Sequence, residues 1–138
     1  MQASLKWQDG LTFVGQNDSG HTVMVTNDRD EQGERTGISP IQLTALSLGG
    51  CTAMDVISIL KKKRQAVSDF EVVVRTERVE EYPRVWSQAE IEFIVRGKDI
   101  DPAAVERAIE LSAEKYCSVS NMLRQGVEIS HSYKIIEA

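Results

Sequence analysis

A chain of 138 residues, 41% of them hydrophobic, is long enough to bury one core and short for two, so a single domain over residues 1–138 is expected. The net charge of −5 excludes the excess of Lys and Arg that phosphate backbones require, and nucleic acid is not an expected partner. Met1 to Trp7 carry no basic segment followed by an apolar run, so the expected location is the cytoplasm, where a purely structural disulfide between the two cysteines is uncommon.

Ala3 to Trp7, Leu11 to Gly15 and His21 to Thr26 read as three short strands. They are punctuated by Asp9-Gly10 and by Asn17-Asp18-Ser19-Gly20, which gives a three-stranded meander. Asn27 to Ser39 is an extended polar loop. Ser39-Pro40-Ile41-Gln42 then supplies an N-cap serine, a proline at the first helical position and a glutamine three residues after the cap. The helix it opens runs to about Lys63 or Arg64, where four cations oppose the negative end of the helix dipole. At about 1.5 Å per residue it is roughly 35 Å long. Its stretch Ile41 to Leu60 is the most apolar in the chain, but Gln42, Asp55 and a glycine pair interrupt it, which argues for a buried helix and against a bilayer span.

Phe70 to Glu81 and Val85 to Gly97 are two long strand candidates, the second alternating Ile91, Phe93 and Val95 with charged neighbours, and Tyr82-Pro83 lies in the turn between them. Asp101-Pro102 caps a second helix reaching about Cys117. Val127, Ile129, Tyr133 and Ile135 give a last strand of period two. The expected class is α+β with the order βββαββαβ. A first helix that is apolar all round needs more cover than one such chain supplies, and this predicts a homodimer sharing its core.

Two residues carry the candidate chemistry. Cys51 follows Gly49-Gly50 inside the apolar helix, where each glycine costs roughly 1 kcal/mol relative to alanine and so implies a close approach. Cys117 precedes Ser118-Val119-Ser120, whose amides and hydroxyls can cap a following turn and donate toward the sulfur. Either cysteine taken alone also fits a small buried hydrophobe. The two together point to reversible thiol redox chemistry.

Ser39-Pro40-Ile41-Gln42-Leu43, Leu48-Gly49-Gly50-Cys51-Thr52-Ala53-Met54-Asp55-Val56 and Lys115-Tyr116-Cys117-Ser118-Val119-Ser120 together resemble the OsmC/Ohr family, with the cysteines 66 residues apart and the order of elements in agreement. The resemblance implies an intertwined homodimer, cysteine-bearing helices at its centre and antiparallel sheets outside. It also implies a thiol peroxidase acting on organic hydroperoxides, with Cys51 attacking, Cys117 resolving and an external dithiol as reductant.

Two positions depart from the family's peroxidase pattern. The glutamate at the start of the helix is replaced by Ile41, and no arginine precedes Arg29. Gln42 is the nearest polar candidate to support the site, although the capping box accounts for it; Arg35 or Arg29 is the candidate cation from the loop, against a solvated loop charge. Asp55, one turn beyond Cys51, shares its face and opposes thiolate formation. Cys51, Cys117, His21 and His131 have metal-ligand chemistry but no pair within one turn, so no metal is expected. No phosphate loop is visible and no cofactor is expected. The competing function is nonenzymatic: an apolar crevice in the dimer that binds a small greasy molecule, with the thiols as mere lining.

Overall fold

The computed structural model describes residues 1–138. The chain forms two compact units, Met1–Thr44 and Ala45–Ala138. The first begins with β1 (Ala3–Asp9), β2 (Thr12–Asn17) and β3 (Thr22–Thr26), an antiparallel meander in the order β1-β2-β3. Its register pairs Leu5 with Gly15, Trp7 with Phe13, and Gly15 with Val23, so one face of this sheet is an apolar row. Leu5, Trp7, Phe13 and Val23 on that row are exposed, whereas Val25 is buried. Asp28 ties down the first turn by accepting from Leu11 N–H and from Thr12 Oγ1.

The loop after β3 is ordered by its own hydrogen bonds. Asp30 accepts from the backbone of Gln32 and Glu34, and Gly33 takes the left-handed conformation the turn requires (φ 81°). Helix α1 (Pro40–Lys62) opens as its sequence dictates. Gln42 Oε1 accepts from Ser39 N–H (2.9 Å) and Ser39 Oγ accepts from Gln42 N–H (3.3 Å), a reciprocal capping box. The helix ends where Arg64 turns left-handed (φ 58°).

The second unit contains most of α1, then β4 (Ala66–Arg78), β5 (Trp86–Lys98), α2 (Pro102–Leu111), α3 (Ser118–Leu123) and β6 (Glu128–Glu137). β4 starts earlier than its apolar residues suggest, because Ala66 and Val67 pair with Lys98 and Gly97 ahead of a bulge. β5 is the centre of the sheet β4-β5-β6 and the core of the protein: Ile91, Phe93 and Val95 are fully buried on one face. On the opposite face Glu92 receives Arg75 at 3.0 Å and Lys134 at 3.3 Å, and these two partners hold its carboxyl below the ordinary value.

The order βββαββαβ and the α+β class are as expected. The expected outer antiparallel sheets are corrected in one pairing of the second sheet, where β6 runs parallel to β5 while β4 and β5 are antiparallel. The segment between them, containing α2 and α3, is long enough for the crossover that a parallel pair needs.

By length and composition α1 is apolar enough to cross a membrane. Leu48, Thr52, Val56 and Leu60 nevertheless form a fully buried stripe within the protein, and Gly49 lies over β4, where a Cβ would come within 2.9 Å of Val74 Cγ2. The close approach expected of the glycine pair therefore belongs to Gly49. Gly50 has nothing within 4 Å of a Cβ position, and Leu46 and Met54, one turn to either side, are exposed.

Gly97 has the tightest surroundings. A Cβ there would overlap the Ala66 carbonyl oxygen and approach Ile100 Cδ1 at 2.8 Å. Backbone cannot yield as a methyl group can, so Gly97→Ala is expected to destabilise the fold by about 3 kcal/mol. Gly49→Ala meets only a side chain and gains helix propensity, so its midpoint in urea should stay near that of the wild type. Equal midpoints for the two variants would refute the distinction.

Candidate functional site

The site forms where α1 meets the segment after α2. The sequence predicts one helix from Pro102 to about Cys117; instead α2 stops at Leu111 and Ser112–Tyr116 make one π-helical turn. The turn is closed by Cys117 N–H donating to Ser112 O at 2.8 Å, a wider ring than the α-helix permits. Cys117 then adopts extended backbone (φ −76°, ψ 104°) and caps α3 with its own side chain. One extra residue in the helix thus sets Ser112 and Cys117 beside α1. Helical periodicity carries no signal for such an insertion.

Both cysteines are free thiols, Cys51 partly exposed and Cys117 fully buried. Their sulfurs and a carboxylate oxygen of Asp55 all lie within 4.8 Å of one another. Asp55 is one turn after Cys51 and shares its face, as expected. Its Oδ2 accepts from Ser112 Oγ at 2.8 Å, a partner that sequence reasoning missed. Ser120 N–H donates to Cys117 Sγ at 3.4 Å, so the expected amide at the second sulfur is present. Burial nevertheless pushes the Cys117 thiol above its ordinary value; the neighbouring Cys51 thiol adds to this, and the Ser120 donors oppose it. Cys117 is the shielded member, and Cys51 is the member that solvent reaches.

The other candidates have partners of their own. Gln42 is held by the capping box with Ser39. Arg35 donates to Asn27 Oδ1 (3.1 Å) and Arg29 to the Gly33 carbonyl (2.6 Å), so both cations are bound within the loop that carries them. His21 meets Ser19 Oγ at 3.0 Å in the β2–β3 turn.

His131 is on the inner face of β6, stacked on Phe93 at 6.2 Å, and its Nε2 is buried without a hydrogen-bond partner. Burial therefore lowers its pKa below the ordinary 6.5. The unfolded chain takes up that proton first, so the contribution of neutral His131 is fully present above about pH 6.5 and is lost as pH falls from there through the folded pKa. Thermal midpoints should drop as pH falls below about 6.5, and less so in His131→Leu. Parallel pH profiles for the two proteins would dispose of this assignment.

Comparison with known proteins bears on the thiol pair. The family model described as OsmC-like protein matches residues 30–132. Protein YhfA of Escherichia coli strain K12 is 46% identical over 138 residues, which cover 100% of both chains. A hypothetical protein from Aquifex aeolicus VF5, solved as a crystal structure, superposes with a TM-score of 0.87 at 28% identity over 99% of this chain and 96% of that one. The organic hydroperoxide resistance protein OhrB of Bacillus subtilis gives 0.65 at 18% identity over 97% and 98%, a likeness of fold alone.

Proposed function

Because the chain belongs to the OsmC-like protein family, we propose that it is a thiol-dependent peroxidase reducing organic hydroperoxides through Cys51 and Cys117. The observation that carries this reading is the placement of one reachable and one shielded sulfur within 4.8 Å of each other, both reduced. The thiolate of Cys51 attacks the terminal oxygen of ROOH; the O–O bond breaks, ROH leaves and Cys51 becomes a sulfenic acid. Cys117 condenses with it, a disulfide forms and water leaves. An external dithiol then reduces the disulfide and is itself oxidised. In a reducing cytoplasm this cycle returns to its starting state. That OhrB, an organic hydroperoxide resistance protein, has the same fold supports the choice of oxidant.

The working unit in this reading is a homodimer. The exposed apolar face of the first sheet, and the row on α1 in which exposed Leu46 and Met54 flank half-buried Gly50, are surfaces that a second copy would cover. Gln42 and Arg35 remain supporting candidates in that assembly, where a partner copy would bring further surfaces together. The second reading, a binder of small apolar molecules, is favoured by Ile41 in place of the family's glutamate.

One experiment separates them. Reduced protein is treated with one equivalent of cumene hydroperoxide, then its intact mass and free thiols are measured. Loss of two hydrogens with loss of both thiols is expected; survival of both thiols would leave the binding reading in possession.

A further inference from the structure

Two sulfurs and a carboxylate at one point are more than a disulfide requires. Cys51 and Asp55 stand one helical turn apart on α1, the spacing by which a helix offers two ligands to one ion. Cys117 arrives from the opposite side at the end of the π-helical turn. We propose that reduced Cys51 and Cys117, together with Asp55, form a binding site for a thiophilic divalent cation, with Zn(II) as the ion these donors suit.

The distances fit. Tetrahedral zinc bonds sulfur at about 2.3 Å and carboxylate oxygen at about 2.0–2.2 Å, which sets neighbouring donors roughly 3.5–3.8 Å apart. The three donors here are within 4.8 Å of one another, so contraction by about an ångström, within reach of side-chain rotation, completes the set. The surroundings fit as well. Ser112 Oγ already orients the Asp55 carboxylate, and Ser120 N–H already faces Cys117 Sγ, which are the outer-shell contacts that hold ligands in place. None of the ion pairs of the chain involves Asp55, so no cation of the protein is within ion-pair distance of its carboxylate.

Asp55 also lines a cleft of about 380 Å³ with Leu111 and Tyr116, so the carboxylate side of the site borders open space. Lys62, the last residue of α1 about two turns further along, and Lys63 just after it stand on the same cleft. Binding replaces two thiol protons by one Zn(II), so two protons are released and no electrons move. Since a disulfide uses the same sulfurs, the metal-bound and oxidised forms exclude each other. The site rests on the thiol pair itself and is independent of peroxide chemistry.

The test is titration of reduced, metal-free protein with Zn(II) against a chromophoric chelator, repeated with Co(II) as spectroscopic probe. One ion per chain is expected, with release of about two protons, thiolate-to-cobalt charge transfer, the visible bands of tetrahedral Co(II), and protection of both thiols from alkylation. Asp55→Asn, which keeps the shape and can still pair with Ser112, should weaken binding by about tenfold or more and retain the charge-transfer band. Cys51→Ser and Cys117→Ser should each lose the tetrahedral spectrum. Failure of the reduced protein to compete with the chelator would overturn the site, as would Zn(II) affinity unchanged in all three variants. Consumption of hydroperoxide, measured separately, tests the peroxidase reading alone: a peroxidase that binds no ion overturns only the site.

Discussion

Cys51→Ser is expected to reduce hydroperoxide turnover by about a thousandfold or more, whereas Cys117→Ser should still consume one equivalent of peroxide and stop. The asymmetry follows from where the two sulfurs are. Cys51 is partly exposed and, in the proposed reaction, is the thiol that meets the substrate; Cys117 is fully buried, and burial pushes its thiol pKa up. A buried, proton-retaining thiol is a poor first nucleophile, yet it suits the second step, in which a sulfenic acid is already beside it.

In Cys117→Ser the sulfenic acid has no thiol within reach, so it should be trapped by a dimedone-type reagent with the mass of one adduct per chain. In Cys51→Ser no adduct should form, because the remaining sulfur is shielded. Stopped-flow peroxide consumption and intact mass together check both variants. Equal loss of the first turnover in both would mean that the two sulfurs act as one unit, and the assigned order of attack and resolution would be wrong. An adduct on Cys117 in Cys51→Ser would reverse the roles.

The contrast between what was legible in the sequence and what was not has a physical basis. Capping of α1 is local: Ser39, Pro40 and Gln42 interact within one turn, and the structure contains the bonds their order predicts. The buried face of β5 is equally local, because alternation of Ile91, Phe93 and Val95 fixes which side meets the core. The direction of β6 is a different matter. Its period-two pattern is the same whether it pairs parallel or antiparallel, and only the crossover containing α2 and α3 decides.

The site divides in the same way. Asp55 shares the face of Cys51 by helical spacing, and this could be read directly. The proximity of Cys117 is not encoded in the spacing, since 65 intervening residues set no distance; the family resemblance implies only its resolving role. Ser112 was missed because its position depends on the π-helical turn, which inserts one residue against the period that sequence reading assumes. Gly97 was unremarked for a related reason: its constraint is the carbonyl of Ala66 across the sheet, a contact that no local pattern encodes.

Gly50→Leu should dissociate the proposed homodimer while leaving the chain folded. Within one chain nothing lies within 4 Å of a Cβ at Gly50, so the larger side chain meets no obstacle. Replacing a mid-helix glycine should also gain roughly 0.8–1 kcal/mol of helix propensity. The cost is expected only where a second α1 crosses the first. Leu46, Gly50 and Met54 form one stripe, and Leu46 and Met54 are 57% and 73% exposed, too apolar a row to leave in water when a copy can cover it. A glycine at the middle of such a row lets two helices approach closely, and a leucine there would force the axes apart. An overpacking cost of roughly 3 kcal/mol corresponds to a dissociation constant weakened on the order of 100-fold. Sedimentation velocity over a concentration series, with far-UV circular dichroism and thermal melts beside it, reads both halves of the prediction. A folded variant with an unchanged dissociation constant would remove this stripe of α1 from the interface, and a wild type that stays monomeric at all concentrations would remove the dimer. Since Cys51 follows Gly50 directly, loss of the dimer should also alter access to the first sulfur, so the alkylation rate of Cys51 should differ between variant and wild type.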